Sequence, residues 1–360
     1  MTENAGRRII LMASAALTLI GADALVRGMR AELTAYTVAD YNRKPSVIAN
    51  GPMPRIVLMG SSRAKYALVP DEFERATGRS AYNLGIAGSK VVEWITLSRA
   101  LFKADRPDLV VVGINASEVR LDYSPTDAAR NLFTLDDLFE SCSHEGVSTS
   151  VIGAYLQSAA GPLCEVYHHR YELRMWAQER LGGVLPKHAQ QARELRERVA
   201  TPEPPSGYAH PWAQGEQLRS VEERLLNNVA TVEAACVPLF SRDSPSMSRL
   251  AQLLDELRAG GIRAIVVYIP NCPRTEARWR DVEPQAINAI ASVCRESGAP
   301  FVPCSQEEVS RTNRDFIEEV HVGLPLARTI SRRAARQILA LGLLPIETRH
   351  AVTKINDVPD

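Results

Sequence analysis

RIVLMGSSR, residues Arg55 to Arg63, opens with an arginine, runs through four apolar residues and closes on Gly60 and two serines. A run that short, apolar at every position rather than at alternate ones, predicts a strand buried on both faces. YNLG (Tyr82–Gly85) ends a second strand, and DLVVVGIN (Asp108–Asn115), rich in β-branched residues, is a third. IRAIVVYIP (Ile262–Pro270) is a fourth, stopped by its proline, and APFVPC (Ala299–Cys304) a short fifth.

Helical patterns separate these strands. VVEWITLSRALFKA (Val91–Ala104) precedes the third. SMSRLAQLLDELRAGG (Ser246–Gly261) places apolar residues at 250, 253, 254 and 257 before a Gly-Gly stop. PQAINAIASVCRESG (Pro284–Gly298) and LARTISRRAARQILALG (Leu326–Gly342) complete the set. Strands alternating with helices predict an α/β fold: a parallel sheet of about five strands with helices on both faces. The halves of that domain are residues 55–120 and 244–345, with 346–360 as a C-terminal tail.

The middle reads differently. Residues 121–243 contain no good strand, only a charged helical run (AQQARELRERV, Ala189–Val199) and a proline-rich loop (TPEPPSGYAHP, Thr201–Pro211). This is a mainly helical insertion between the third and fourth strands, too long for a plain loop. A lid, a substrate platform and an oligomer contact all stay open for it. His168, His169 and His210 fall inside it and read as surface or insertion positions.

At the N-terminus, Arg7-Arg8 precedes the apolar run Ile9–Ala22, and Asp23, Arg27 and Arg30 close it. Residues 1–30 therefore read either as a signal anchor reaching about Val26 or as a signal peptide cleaved near Ala24. Either reading implies export. The anchor places the chain in an inner membrane by a single N-terminal helix, with the folded domain in the periplasm. Residues 31–54 are a membrane-proximal helix followed by a linker, ended by the turn-rich Asn50-Gly51-Pro52-Met53-Pro54.

Forty-two basic residues balance 42 acidic ones, so no global basic field favours nucleic acid. The six cysteines include no C-x-x-C pair, which removes zinc-ribbon and thioredoxin readings. Six cysteines allow fifteen pairings, and the sequence selects none. No G-x-G-x-x-G or P-loop pattern follows the first strand, so a flavodoxin-like nucleotide binder lacks its phosphate-cradling glycines.

Four blocks carry candidate chemistry. In Gly60-Ser61-Ser62-Arg63 a serine stands at a strand end, where open α/β sheets build their sites. Asn83-Leu84-Gly85-Ile86-Ala87-Gly88-Ser89 supplies glycines whose N–H groups can approach a ligand. Gly113-Ile114-Asn115 ends the third strand with an amide able to donate to an oxyanion. In Glu318-Glu319-Val320-His321-Val322-Gly323 a carboxylate three residues before a histidine can fix its tautomer and leave one ring nitrogen facing a serine. Taken singly, each block also reads as a cap, a turn or a surface loop.

In this order the four blocks resemble the SGNH/GDSL-type serine hydrolases. In that family the nucleophile lies in a G-D-S block after the first strand, and a glycine block and a G-x-N block supply oxyanion donors. A D-x-x-H block precedes the last helix. The resemblance implies a flavodoxin-like three-layer sandwich. It implies Ser62 as nucleophile, His321 as base, Glu318 as acid with Asp315 as alternative, and Gly88 and Asn115 as oxyanion donors. It covers roughly 55–120 and 246–342.

Ser61 stands where the family has aspartate, and Glu318 likewise. The G-S-S-R variant resembles a membrane-associated branch linked to polysaccharide O-acetylation. That implies no cofactor and no metal. The implied partners are an acylated polysaccharide and a membrane-embedded acyl-donor protein, with no nucleic acid. A non-catalytic carbohydrate-binding protein and a periplasmic lipase or thioesterase are the alternatives.

Overall fold

A computed structural model describes residues 2–34, 39–103, 105–119, 134–145, 169–180, 244–304, 309–317 and 321–344, with single positions between 152 and 206. The first strand, β1 (Ile56–Gly60), is buried along its whole length, as its uninterrupted apolar run requires. β2 (Ala81–Asn83), β3 (Leu109–Ile114), β4 (Arg263–Tyr268) and β5 (Phe301–Val302) join it. All pairings are parallel, in the order β2-β1-β3-β4-β5. That is the order of flavodoxin-like sheets, whose direction of winding switches between β1 and β3.

The switch sends helices to both faces. On one face lie α4 (Ser62–Ala67), α5 (Pro70–Thr77) and α12 (Leu324–Ala340), packed on Ile56, Leu58, Val111 and Val267. On the other lie α6 (Val91–Leu101), α9 (Pro245–Ala259) and α11 (Glu283–Glu296), packed on Val57, Met59, Val112 and Val266. Successive residues of each strand thus serve opposite cores, which is why the strands read as continuous rather than alternating apolar runs. Each fully buried aliphatic side chain contributes about 1.5–3 kcal/mol relative to exposure.

The fifth strand is shorter than the apolar stretch that predicts it. Pro300 and Pro303 flank it, and neither can donate to the ladder; the Pro300 carbonyl instead accepts from Val266 N–H at 2.9 Å. Beyond β2 the ladder continues through Leu84 and Ile86, which donate to Leu58 and Gly60 at 2.8 and 2.9 Å.

N-terminal to the sheet are α1 (Thr2–Gly28), α2 (Arg30–Thr34) and α3 (Ala39–Asn50). Leu17, Leu19, Ile20 and Leu25 of α1 are exposed. Among the described residues no helix is long and apolar enough to cross a membrane. From the middle region, α7 (Leu135–Glu145) and α8 (Arg170–Arg180) are helical, and most of the rest lies outside the described residues. His169, expected at the surface or in the insertion, is buried, with Nδ1 3.9 Å from Glu172 Oε2. The remaining helix, α10 (Pro273–Arg278), follows β4. Cys142, Cys164, Cys272 and Cys294 are free thiols, and Cys236 lies outside the described residues.

Candidate active site

β1 ends on Gly60 at φ 150°, a conformation side-chain-bearing residues rarely adopt. A Cβ there would meet Ala64 Cβ and the Gly113 carbonyl, each at 2.5 Å. Gly60 pairs with Gly113 of β3. The two glycines leave room for the chain to turn sharply from β1 into α4 and lie close on the sheet.

Ser61 then caps α4, its Oγ accepting from Arg63 N–H at 3.2 Å. Ser62 is the first residue of the helix, partly exposed at the C-terminal end of the sheet. Its Oγ lies 2.8 Å from Nε2 of His321.

His321 reaches this point from the opposite end of the chain. It sits in a loop that closes on itself: Phe316 and Val322 form a β-bridge, Ile317 N–H donates to the His321 carbonyl at 2.8 Å, and Gly323 N–H donates to the Asp315 carbonyl at 2.7 Å. The imidazole meets the ring of Tyr66 edge-on, centroids 4.8 Å apart and planes at 76°. Tyr66 lies four residues after Ser62 on α4, so both stand on one helix face. Two residues predicted from separate blocks are therefore in hydrogen-bonding contact, and a tyrosine that drew no attention in the sequence packs against the second.

The other expected residues are placed as follows. Glu318, the expected acid, lies outside the described residues. Asp315, its alternative, is engaged elsewhere: its Oδ2 accepts from the N–H and hydroxyl of Thr312, at 2.6 and 2.9 Å, capping a short 3-10 turn. Gly88 occupies the turn after β2 at φ 77° and is exposed. Asn115 is fully buried; its amide donates to the Ile269 carbonyl at 2.6 Å and lies 3.5 Å from the Tyr268 hydroxyl. One of its two N–H donors is thus taken by Ile269, and the other lies beside the Tyr268 hydroxyl.

Compared with known protein families and with curated proteins, the chain matches none.

Behind the serine lies a polar cluster that sequence reasoning missed. The Ser61 hydroxyl donates to Glu118 Oε1, and Glu118 Oε2 accepts from Asn115 N–H at 2.7 Å. Burial pushes the Glu118 carboxyl up to about 7, against the opposing pull of Arg63, the Asn115 N–H and Lys90. Arg63, itself buried, donates to Asn271 Oδ1 at 2.7 Å. Glu283 Oε1 accepts from Asn271 Nδ2 at 3.1 Å and from the Tyr268 hydroxyl at 2.6 Å. Burial raises the Glu283 carboxyl and, with Glu283 beside it, the Tyr268 phenol. The cluster joins the ends of β1, β3 and β4, where buried polar groups need partners. A clue to Glu118 was local: a Glu three residues after Asn115 at a strand end can bond back to that residue's N–H.

Among the described residues no group of three or more His, Cys, Asp or Glu could hold a metal ion. What the arrangement offers is a hydroxyl in contact with an imidazole, on a rigid turn at the switch point of the sheet.

Proposed function

We propose that the protein carries out serine-dependent acyl transfer on an O-acyl ester, with Ser62 as nucleophile and His321 as general base. The observation that carries this reading is the 2.8 Å contact between Ser62 Oγ and His321 Nε2. In the first step His321 takes the Ser62 proton while Oγ attacks the ester carbonyl. As first residue of α4, Ser62 has an N–H without an intrahelical acceptor, and it and the Gly88 N–H are the oxyanion donors of this reading. Collapse of the tetrahedral intermediate breaks the ester C–O bond, and His321 returns the proton to the leaving alkoxide. Water or a sugar hydroxyl then gives its proton to His321 and takes the acyl group from Ser62, and His321 passes that proton to the departing Ser62 Oγ, which restores both residues. Water makes an esterase, and a sugar an O-acetyltransferase.

The resemblance of the G-S-S-R block to a membrane-associated branch linked to polysaccharide O-acetylation supports an acetyl ester of a cell-envelope or secreted polysaccharide as substrate. In the same reading residues 1–30 hold the protein at the inner membrane with its site in the periplasm, or are cleaved near Ala24. A membrane-embedded acyl-donor protein is the partner. The buried Asn115 amide favours a second reading, a carbohydrate-binding protein of this fold without turnover.

Release of acetate from p-nitrophenyl acetate by the full chain in detergent, beside Ser62→Ala, tests the first reading. Turnover lost in the variant supports it. Equal background rates, with no labelling of Ser62 by a fluorophosphonate probe, favour the second.

A further inference from the structure

Lys44 of α3 is fully buried. Its Nζ donates to the carbonyls of Asn83 and Gly85 at 2.8 and 2.9 Å. β2 is an edge strand, and these carbonyls lie on its outer side, because the intervening Leu84 and Ile86 N–H groups bond inward to Leu58 and Gly60 of β1. On the same outer edge, Asn83 N–H donates to the Ser206 carbonyl at 2.9 Å. Edge carbonyls ordinarily face water or a neighbouring strand. Here a lysine from the segment preceding the sheet takes both.

The Gly85 carbonyl shares a peptide group with the Ile86 N–H, which donates to Gly60 at 2.9 Å. Hydrogen bonds in such a chain polarise and align one another. The path therefore runs from Lys44 through the Gly85–Ile86 peptide to Gly60, the residue before the Ser61-Ser62 turn. Gly85 also lies directly on α4, since a Cβ there would stand 2.5 Å from Lys65 N. Ser89 clips the same loop, its hydroxyl 2.8 Å from the Ile86 carbonyl and 3.2 Å from that of Gly60. A methionine would fill the space of Lys44 without burying an amino group. Only the amino group supplies the two bonds to the loop.

We propose that Lys44 is a positioning residue for the serine chemistry. It docks α3 onto the loop that carries Gly88 and so holds that loop and the Gly60 turn in register with Ser62. This rests on the acyl-transfer reading above. The helix next to the N-terminal segment is then a working part of the site rather than a spacer.

The test measures the rate of fluorophosphonate labelling of the full chain in detergent, comparing Lys44→Met with Ile48→Ala. Ile48 is a buried α3 residue packed in the core, so its truncation loosens the helix while keeping the amino group. Well below both melting temperatures, K44M is expected to label about tenfold or more slowly, because small misplacements of reacting groups cost that much. I48A is expected to stay within about twofold of wild type. Hydrogen exchange at Ile86 and at residues 60–64 should quicken in K44M and not in β4. If K44M does not fold, Lys44→Leu, which likewise has no donor, takes its place in the same comparison. Labelling of the Lys44 variant at the wild-type rate overturns the proposal. So does equal slowing of both variants in step with their melting temperatures, which leaves α3 a purely stabilising role. A wild-type protein that takes no probe overturns the acyl-transfer reading, and this inference with it.

Discussion

The Ser61 hydroxyl donates to the carboxylate of Glu118, tying the turn after β1 to the turn after β3 inside the protein. The bond gives Ser61 two tasks, since the same oxygen caps α4 by accepting from Arg63 N–H. The burial of Glu118, rather than this bond, makes stability depend on pH. Burial raises the Glu118 pKa from 4.5 to about 7. A carboxyl raised on folding favours the folded state in its protonated form. Its contribution is full below the unfolded value and is lost as pH rises through the folded one. The gap corresponds to roughly 3 kcal/mol between those two pH values. Glu118→Gln, neutral throughout, should remove this component. Urea unfolding at pH 4.5 and pH 8 checks it, and an identical pH dependence in wild type and variant would count against it.

Gly60→Ala places a methyl 2.5 Å from both Ala64 Cβ and the Gly113 carbonyl. One obstacle is sheet backbone and the other the helix carrying Ser62, so neither yields easily. A loss of about 2–4 kcal/mol is expected from overpacking and from the positive φ together. Chemical denaturation measures it, and a change under about 0.5 kcal/mol would show that the turn relaxes.

Tyr66 touches the His321 ring edge-on. Tyr66→Phe keeps the ring and should leave the rate of Ser62 acylation near wild type. Tyr66→Ala removes a contact of about 0.5–1.5 kcal/mol, equivalent to a rate roughly two- to tenfold lower. Stopped-flow labelling of Ser62 separates the two variants. Equal rates in both would mean the imidazole is oriented by other contacts.

Arg99 of α6 binds Glu256 of α9 and Glu140 and Asp137 of α7. Its guanidinium pKa is raised above the ordinary arginine value, first by the Glu256 hydrogen bond. Arg99→Ala removes the cation that joins Asp137, Glu140 and Glu256, leaving Glu140 only Arg249, at 3.7 Å, as a basic partner among the described residues. Limited proteolysis should then cut within or beside residues 134–145 faster than in wild type, while β1 to β4 stay protected. An unchanged cleavage pattern would show that α7 is held by packing instead.

The five strands and the helices Val91–Leu101, Pro245–Ala259, Glu283–Glu296 and Leu324–Ala340 were legible because burial on both faces and helical periodicity are local properties of sequence. The short helices α5 and α10 were not read, since one or two turns give periodicity little length in which to show. Ser62 and His321 were legible as candidates because one follows the first strand in Gly60-Ser61-Ser62-Arg63 and the other stands three residues after a carboxylate, just before the last helix. The acid at Glu318 was equally legible, and that position lies outside the described residues.

By itself the sequence determined the α/β class and the order of the strands along the chain, and it marked Ser62 and His321 as candidates. All of that follows from runs and motifs a few residues long. Tertiary structure decided the partners. Ser62 and His321, 259 residues apart, meet because β1 is a central strand and the loop before α12 folds over its end. Ser61 meets Glu118 because β3 neighbours β1, Asn115 turns to Ile269 because β4 neighbours β3, and Lys44 meets Gly85 because β2 is left at the edge. A polar side chain bonds whatever group the sheet order brings beside it, and sheet order is set by the packing of both faces at once rather than by any local stretch of chain.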